Sequence, residues 1–301
     1  MDRDDSPPRL PCEAMPALFG AADNGAVAGQ TAFLWVTRLR LVALSLVAVA
    51  STLSTVIAPQ PLLLVTAVAF VAAVALEVAL WVGKPERRWY DGRAAAESLK
   101  TLTWRYSVRG EPFGSESDDE SADDLFLSRT HEVLRGLRGV SLSAGDQAAR
   151  LQITPQMKSL RQADFEERAT AYDRERVQDQ QTWYARKSRR NTRRATVWTA
   201  LLVLLELCGL ALVGLEVGGV LEVEVIAIVA VLGASVVAWV ETRQFRQLAE
   251  AYFVASRELG SIRAELGRQD GSSWGAFVDQ AEEAISREHT LWRASRGRDR
   301  V

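Results

Sequence analysis

The chain has 301 residues, about half of them apolar and a quarter charged, and its net charge is close to zero. That balance excludes the broad basic field that gathers nucleic acid. Cys12 and Cys208 stand one in an N-terminal stretch and one inside an apolar block, so no disulfide framework is expected.

Residues 1–30 are acidic and Pro-rich at the start and lack the basic n-region and short h-region of a signal peptide; they read as a disordered tail. An apolar block follows at 41–82, with Glu77 as its one ionisable side chain. A bilayer core about 30 Å thick needs roughly 20 apolar residues per helical span. The block is long enough for two, 41–57 and 62–82, separated where Pro59 and Pro61 break the helix. A polar helix over 86–109 leaves the second span.

The segment 115–154 reads as a flexible linker, acidic over 115–121, with a short helix. From Pro155 the chain is helical and highly charged, without a strong breaker through Trp183, and one long helix is expected to run into the second block at 195–240. That block makes two more spans, 196–215 and 221–240, turning at Gly218 and Gly219. Glu206 lies inside it, and Glu216, Glu222 and Glu224 lie at its turn. A polar helix over 241–266 and a last helix over 275–296 complete the chain. The latter places Phe277, Ala281, Ala284, Ile285, Glu288 and Trp292 along one stripe.

Lys and Arg flank the four spans but are absent from both hairpin tips, so both termini and the middle segment are expected in the cytoplasm. Trp35, Trp81, Trp89, Trp198 and Trp239 fall near the inner boundaries, where amphipathic rings anchor. The expected fold is an all-α membrane protein: four transmembrane helices as two hairpins, with long helices extending into a cytoplasmic bundle. The order polar helix, two-span hairpin, polar helix occurs twice, so the chain reads as an internal repeat, with units at 31–114 and 155–297.

On the first exit helix, Trp89, Arg93, Glu97, Lys100 and Trp104 share one sector at about 100° per residue. Glu97 can pair with Arg93 and Lys100. Two tryptophans beside fixed charges suit a subunit or helix–helix interface, the alternative being a solvated face. Ala95, Leu99, Leu102 and Tyr106 make a separate packing stripe.

The run from Trp89 through Lys100, then Trp104, Arg105 and Tyr106, then Pro112 and Phe113, resembles the SLATT superfamily of SMODS- and SLOG-associating two-transmembrane effector domains. The run from Ala281 to Trp292 is similar to the end of another SLATT subtype. The resemblance covers about 30–297 as two tandem domains. It implies a bacterial inner-membrane effector that forms pores in conflict or anti-phage systems beside nucleotide-generating or nucleotide-sensing proteins. No nucleotide-synthesis or sensor domain is recognisable here, which leaves the trigger open.

Within the spans, Glu206 and Glu77 could line a cation path or stay protonated against a neighbouring helix. Ser45, Thr52 and Thr55 could line a pore or serve close packing. Glu216, Glu222 and Glu224 would form acidic rings at the outer mouth of an oligomer, or they simply avoid positive charge there. Arg189, Arg190, Arg193 and Arg194 suit anionic lipid headgroups rather than nucleic acid. There is no phosphate loop, and His131 and His289 lack ligand spacing, so no metal, cofactor or enzymatic activity is expected. The function expected is a homo-oligomeric pore in the lipid bilayer, gated through its cytoplasmic helices, with a possible nucleotide-signalling partner. The alternative is a non-conducting membrane anchor for such a partner.

Overall fold

The structure, a computed structural model, describes residues 9–55, 57, 59–114, 118–136, 152–220 and 225–297; of 136 and 287–297 it describes the backbone alone. The described residues are helical, with no strand among them. Four helices are long and apolar enough to cross a membrane.

α1 (Ala17–Ser54) and α2 (Pro59–Gly83) form the first hairpin. Pro59 and Pro61 sit in the first turn of α2, where a missing N–H removes no helical hydrogen bond. α3 (Pro85–Ser107) follows after one residue, Lys84, which takes a left-handed conformation at φ 42°. α4 (Asp119–Gly136), α5 (Pro155–Gln162) and α6 (Phe165–Ala171) then lead to a π-helical segment, Tyr172–Gln178. α7 (Asp179–Val217) and α8 (Ile226–Arg243) form the second hairpin. α9 (Phe245–Leu266) again follows a single left-handed residue, Gln244 at φ 49°, and α10 (Trp274–Gly297) ends the described chain.

Three sequence expectations need correction. The tail assigned to 1–30 is ordered over most of its length: α1 begins at Ala17, and Leu10, Ala14, Met15, Leu18, Ala22 and Ala26 are buried. The helix expected within 115–154 begins already at Asp119, inside the acidic run, because Asp118 accepts the Ser121 N–H at 2.7 Å and acidic groups suit a helix N-terminus; 115–117 and 137–151 lie outside the described residues. The single long helix from Pro155 is broken at Ala163 and Asp164. Thr154 caps α5, and Asp164 caps α6 by accepting the Glu167 N–H at 2.8 Å, so the chain restarts a helix there.

The chain divides into two compact units that do not follow the sequence repeat. Unit 1 comprises Met1–Gly29, Arg87–Lys187 and Ala251–Val301, and unit 2 comprises Gln30–Glu86 and Ser188–Glu250. Unit 1 has an ordinary core, in which Trp104, Tyr106, Phe113 and Phe126 pack with Tyr172, Trp274 and Val278. Each half of the chain supplies part of it. Gly92 lets α3 approach α1 closely, since a β-carbon there would lie 3.0 Å from the Ala22 carbonyl oxygen and the Ala26 amide nitrogen.

Unit 2 is built the other way round. Small side chains (Ala43, Ala50, Ala69, Ala73) fill its interior, while Val71 and Leu210 are each 69% exposed. Among the described residues, every large apolar side chain left exposed, apart from Val27, Phe253 and Val254, belongs to unit 2. A surface of that extent belongs in lipid rather than water. This is a multi-pass membrane protein.

Candidate functional site

Polar groups inside unit 2 are few, and most have partners within the unit. Glu77 on α2 forms an ion pair with Arg40 on α1. Sequence reasoning counted Arg40 only as a flanking charge and gave Glu77 no such partner. The pairing joins residues 37 apart, and it reduces the penalty of holding a carboxylate near hydrocarbon. The hydroxyls of Ser45 and Ser235 lie 3.1 Å apart and link α1 to α8. The Thr55 hydroxyl bonds back to the Thr52 carbonyl at 2.7 Å. Thr52 itself is half-buried.

Glu206 is different. It lies mid-way along the apolar part of α7, is exposed on the outside of unit 2, and has no hydrogen-bond or ionic partner among the described residues. Leu207 and Leu210 beside it are also exposed. Glu216 is exposed near the end of α7, whereas Glu222 and Glu224 lie outside the described residues.

The polar centre of unit 1 is fully enclosed. Arg176, on the π-helical segment, and Glu282, on α10, are both 0% exposed at their side chains and pair bidentately, Nε to Oε1 at 2.8 Å and Nη2 to Oε2 at 2.6 Å. Thr101 donates to Oε2 at 2.9 Å and Tyr172 to Oε1 at 3.1 Å. The carboxylate thus accepts four hydrogen bonds, which is what makes an ion pair tolerable away from water. Burial, reinforced by Glu282, holds the Tyr172 phenol well above its ordinary pKa.

Along α3, the sector singled out from sequence faces other parts of unit 1. Trp104 is 1% exposed and packs edge-on against Tyr172 at 5.9 Å, inside the chain rather than at a subunit surface. Glu97 is buried and pairs with Arg93 at 2.7 Å; Arg93 also reaches Asp23 at 3.5 Å and lies over the Trp183 ring at 6.0 Å. Trp89 is half-buried beside Tyr90 at 4.9 Å. The sector is therefore largely a contact within unit 1.

The same helical order occurs twice: a helix of 38 or 39 residues, a hairpin return, one left-handed residue, then a polar helix. The model of SMODS and SLOG-associating 2TM effector domain 3 matches residues 16–169, half of the chain, and that of effector domain 1 matches 172–292. The chain belongs to the SLATT family, as two tandem domains. No curated protein and no solved structure matches it.

The two SLATT domains share unit 1. Thr101 comes from the first, and Arg176, Tyr172 and Glu282 come from the second, so the buried centre holds one domain to the other. Sequence reasoning missed Arg176, Glu282 and a second buried guanidinium, Arg161. Arg161 donates to the carbonyls of Tyr106 and Phe113 at 3.1 and 3.0 Å and pairs with Asp119 at 3.0 Å. A signal existed for Glu282: it lies on the helical face marked by Val278, Ala281 and Ile285.

Burial and then the Arg176 guanidinium hold the Lys100 ammonium below its ordinary pKa, against an opposing pull from Glu97. The folded chain therefore binds this proton less well than the unfolded chain, and the penalty is relieved as pH rises through the folded pKa toward the unfolded value of about 10.4. Lys100→Met is expected to raise the thermal stability of unit 1 at neutral pH. The gain should shrink as pH rises toward that limit, a comparison made by thermal unfolding of both proteins across the range.

Proposed function

We propose that this SLATT protein is a homo-oligomeric pore or channel-like effector of the bacterial inner membrane, acting by permeation rather than catalysis. Its unit 1, with both termini, would lie in the cytoplasm. The observation that carries this reading is Glu206, an unpartnered carboxyl on the outward face of a membrane helix. In a lone subunit it would meet lipid, at a cost of about 2.5–3.5 kcal/mol or more. Several copies around an axis remove that cost by turning Glu206 toward a neighbour or a central water path. The interior of a single unit 2 is closed by its own small side chains, so conduction requires more than one copy.

The family's association with SMODS and SLOG supports a nucleotide-signalling or sensor partner and a role in bacterial conflict or anti-phage defence. Lys84 and Gln244 give the signal a route. Each joins a membrane helix to the polar helix that follows it through one residue in a backbone conformation that L side chains adopt reluctantly. Movement of α3 or α9 would be transmitted to α2 or α8 across that bend.

Ion flux from liposomes containing the purified protein tests this. The wild type should conduct cations once assembled, and Glu206→Gln should lower that flux by roughly an order of magnitude, about 1.4 kcal/mol in the barrier. A second reading, a non-conducting anchor for the partner, is favoured by the internal pairing of Glu77 with Arg40 and of Ser45 with Ser235, which leaves few groups to line a path. Absence of flux in every oligomeric state would select it.

A further inference from the structure

Unit 2 carries an apolar groove of about 790 Å³ between α1, α7 and α8. Its walls include Val42, Leu201, Leu205 and Leu232, and Trp35, Trp198 and Trp239 stand toward one end. Arg38 stands among these rings, with its guanidinium carbon 4.7 Å from the Trp239 ring centre and 5.6 Å from that of Trp35. Arg190 and Arg194 lie two turns and one turn before Trp198 on α7, on the side of the helix that carries this groove-lining ring, and Arg194 feels the positive charge of both Arg190 and Arg38. None of the three has an acidic partner among the described residues. The groove thus ends in a cluster of uncompensated positive charge.

We propose that the groove is a binding site for one anionic phospholipid, its phosphate on Arg38 and Arg194 and an acyl chain along α1. Three features select this occupant. The charge calls for an anion, and the other lining side chains are apolar or hydroxylic. The tryptophans lie at the charged end, as amphipathic rings do at a headgroup boundary. From Trp35 to Ser45 the groove follows α1 for about 15 Å at 1.5 Å per residue, which is the hydrocarbon depth of one leaflet of a core about 30 Å thick. A second copy fits poorly, because a neighbour at the same membrane depth would bring its own arginines to this end. The site goes beyond the general attraction of flanking arginines for a charged membrane, since it is a single place with a defined depth. It rests on unit 2 being embedded in lipid and is independent of conduction.

The test uses full-length protein in phosphatidylcholine liposomes containing a small fraction of either phosphatidylglycerol or phosphatidylcholine with brominated acyl chains. Quenching of tryptophan fluorescence reports occupancy. The phosphatidylglycerol probe should bind about tenfold more tightly than the phosphatidylcholine probe, and Arg38→Gln and Arg194→Gln should each lower that preference roughly fivefold. Val42→Phe fills the groove without adding a fluorophore that the bromine would quench and leaves the charges in place; it should abolish the preferential quenching even where both arginines remain. Circular dichroism confirms that each variant is folded. Equal quenching by the two probes in the wild type would overturn the proposal. So would unchanged preference in Val42→Phe, which would mean surface attraction alone, or efficient disulfide cross-linking of two copies through Val42→Cys in a chain lacking Cys12 and Cys208, which would place a second chain in the groove. Loss of ion flux with lipid preference intact would count against the pore and leave this site standing.

Discussion

Replacing Glu282 by alanine is expected to destabilise unit 1 by about 3–5 kcal/mol, because it leaves the Arg176 guanidinium buried without its counter-ion. Thr101 and Tyr172 would lose their acceptor at the same time. The paired change Arg176→Met with Glu282→Leu should recover most of that loss, since well-packed apolar groups replace a buried ion pair at little or no cost. Thermal unfolding in detergent, followed by near-ultraviolet circular dichroism, measures both. If the single and double variants were equally unstable, packing around Thr101 and not the charge pair would be holding the two SLATT domains together.

Trp104→Ala is expected to cost about 3–5 kcal/mol, the usual penalty for emptying a buried indole site. The indole N–H of Trp104 is buried and has no hydrogen-bond partner among the described residues. Trp104→Phe removes that unsatisfied donor while keeping most of the ring volume, so it should remain within about 1.5 kcal/mol of wild type. A subunit-interface role for Trp104 would give a different result: the alanine variant would change the oligomer seen in light scattering while unit 1 unfolded at its usual temperature.

Much of the membrane architecture was legible because lipid imposes a length and a composition on every helix that crosses it. The two apolar blocks, the proline and glycine breaks and the repeated order of helices were read from local pattern, as were the SLATT-like residues around Trp89 and Trp104. Long-range pairing was not. Glu77 and Arg40, or Arg176 and Glu282, lie 37 and 106 residues apart, and each looks alone like an ordinary charged side chain. The order in the tail is hidden from local pattern for a related reason. Leu10, Ala14 and Met15 occur among prolines and acidic residues, and their apolar character shows its use only against Trp104 and Met157 in the same core. Lys84 and Gln244 adopt a conformation usually left to glycine, so residue type gave no hint of either bend.

The side of the membrane that each hairpin tip occupies decides whether the two hairpins and a pore built from them exist. With Cys208 replaced by serine, Cys12 marks unit 1, and single cysteines at Gln60 or Val220, in variants that also lack Cys12, mark the two tips. A membrane-impermeant maleimide applied to spheroplasts should label Gln60→Cys and Val220→Cys directly and Cys12 only after the membrane is opened. Labelling of either tip only together with Cys12 would contradict the two-hairpin topology and the pore built on it.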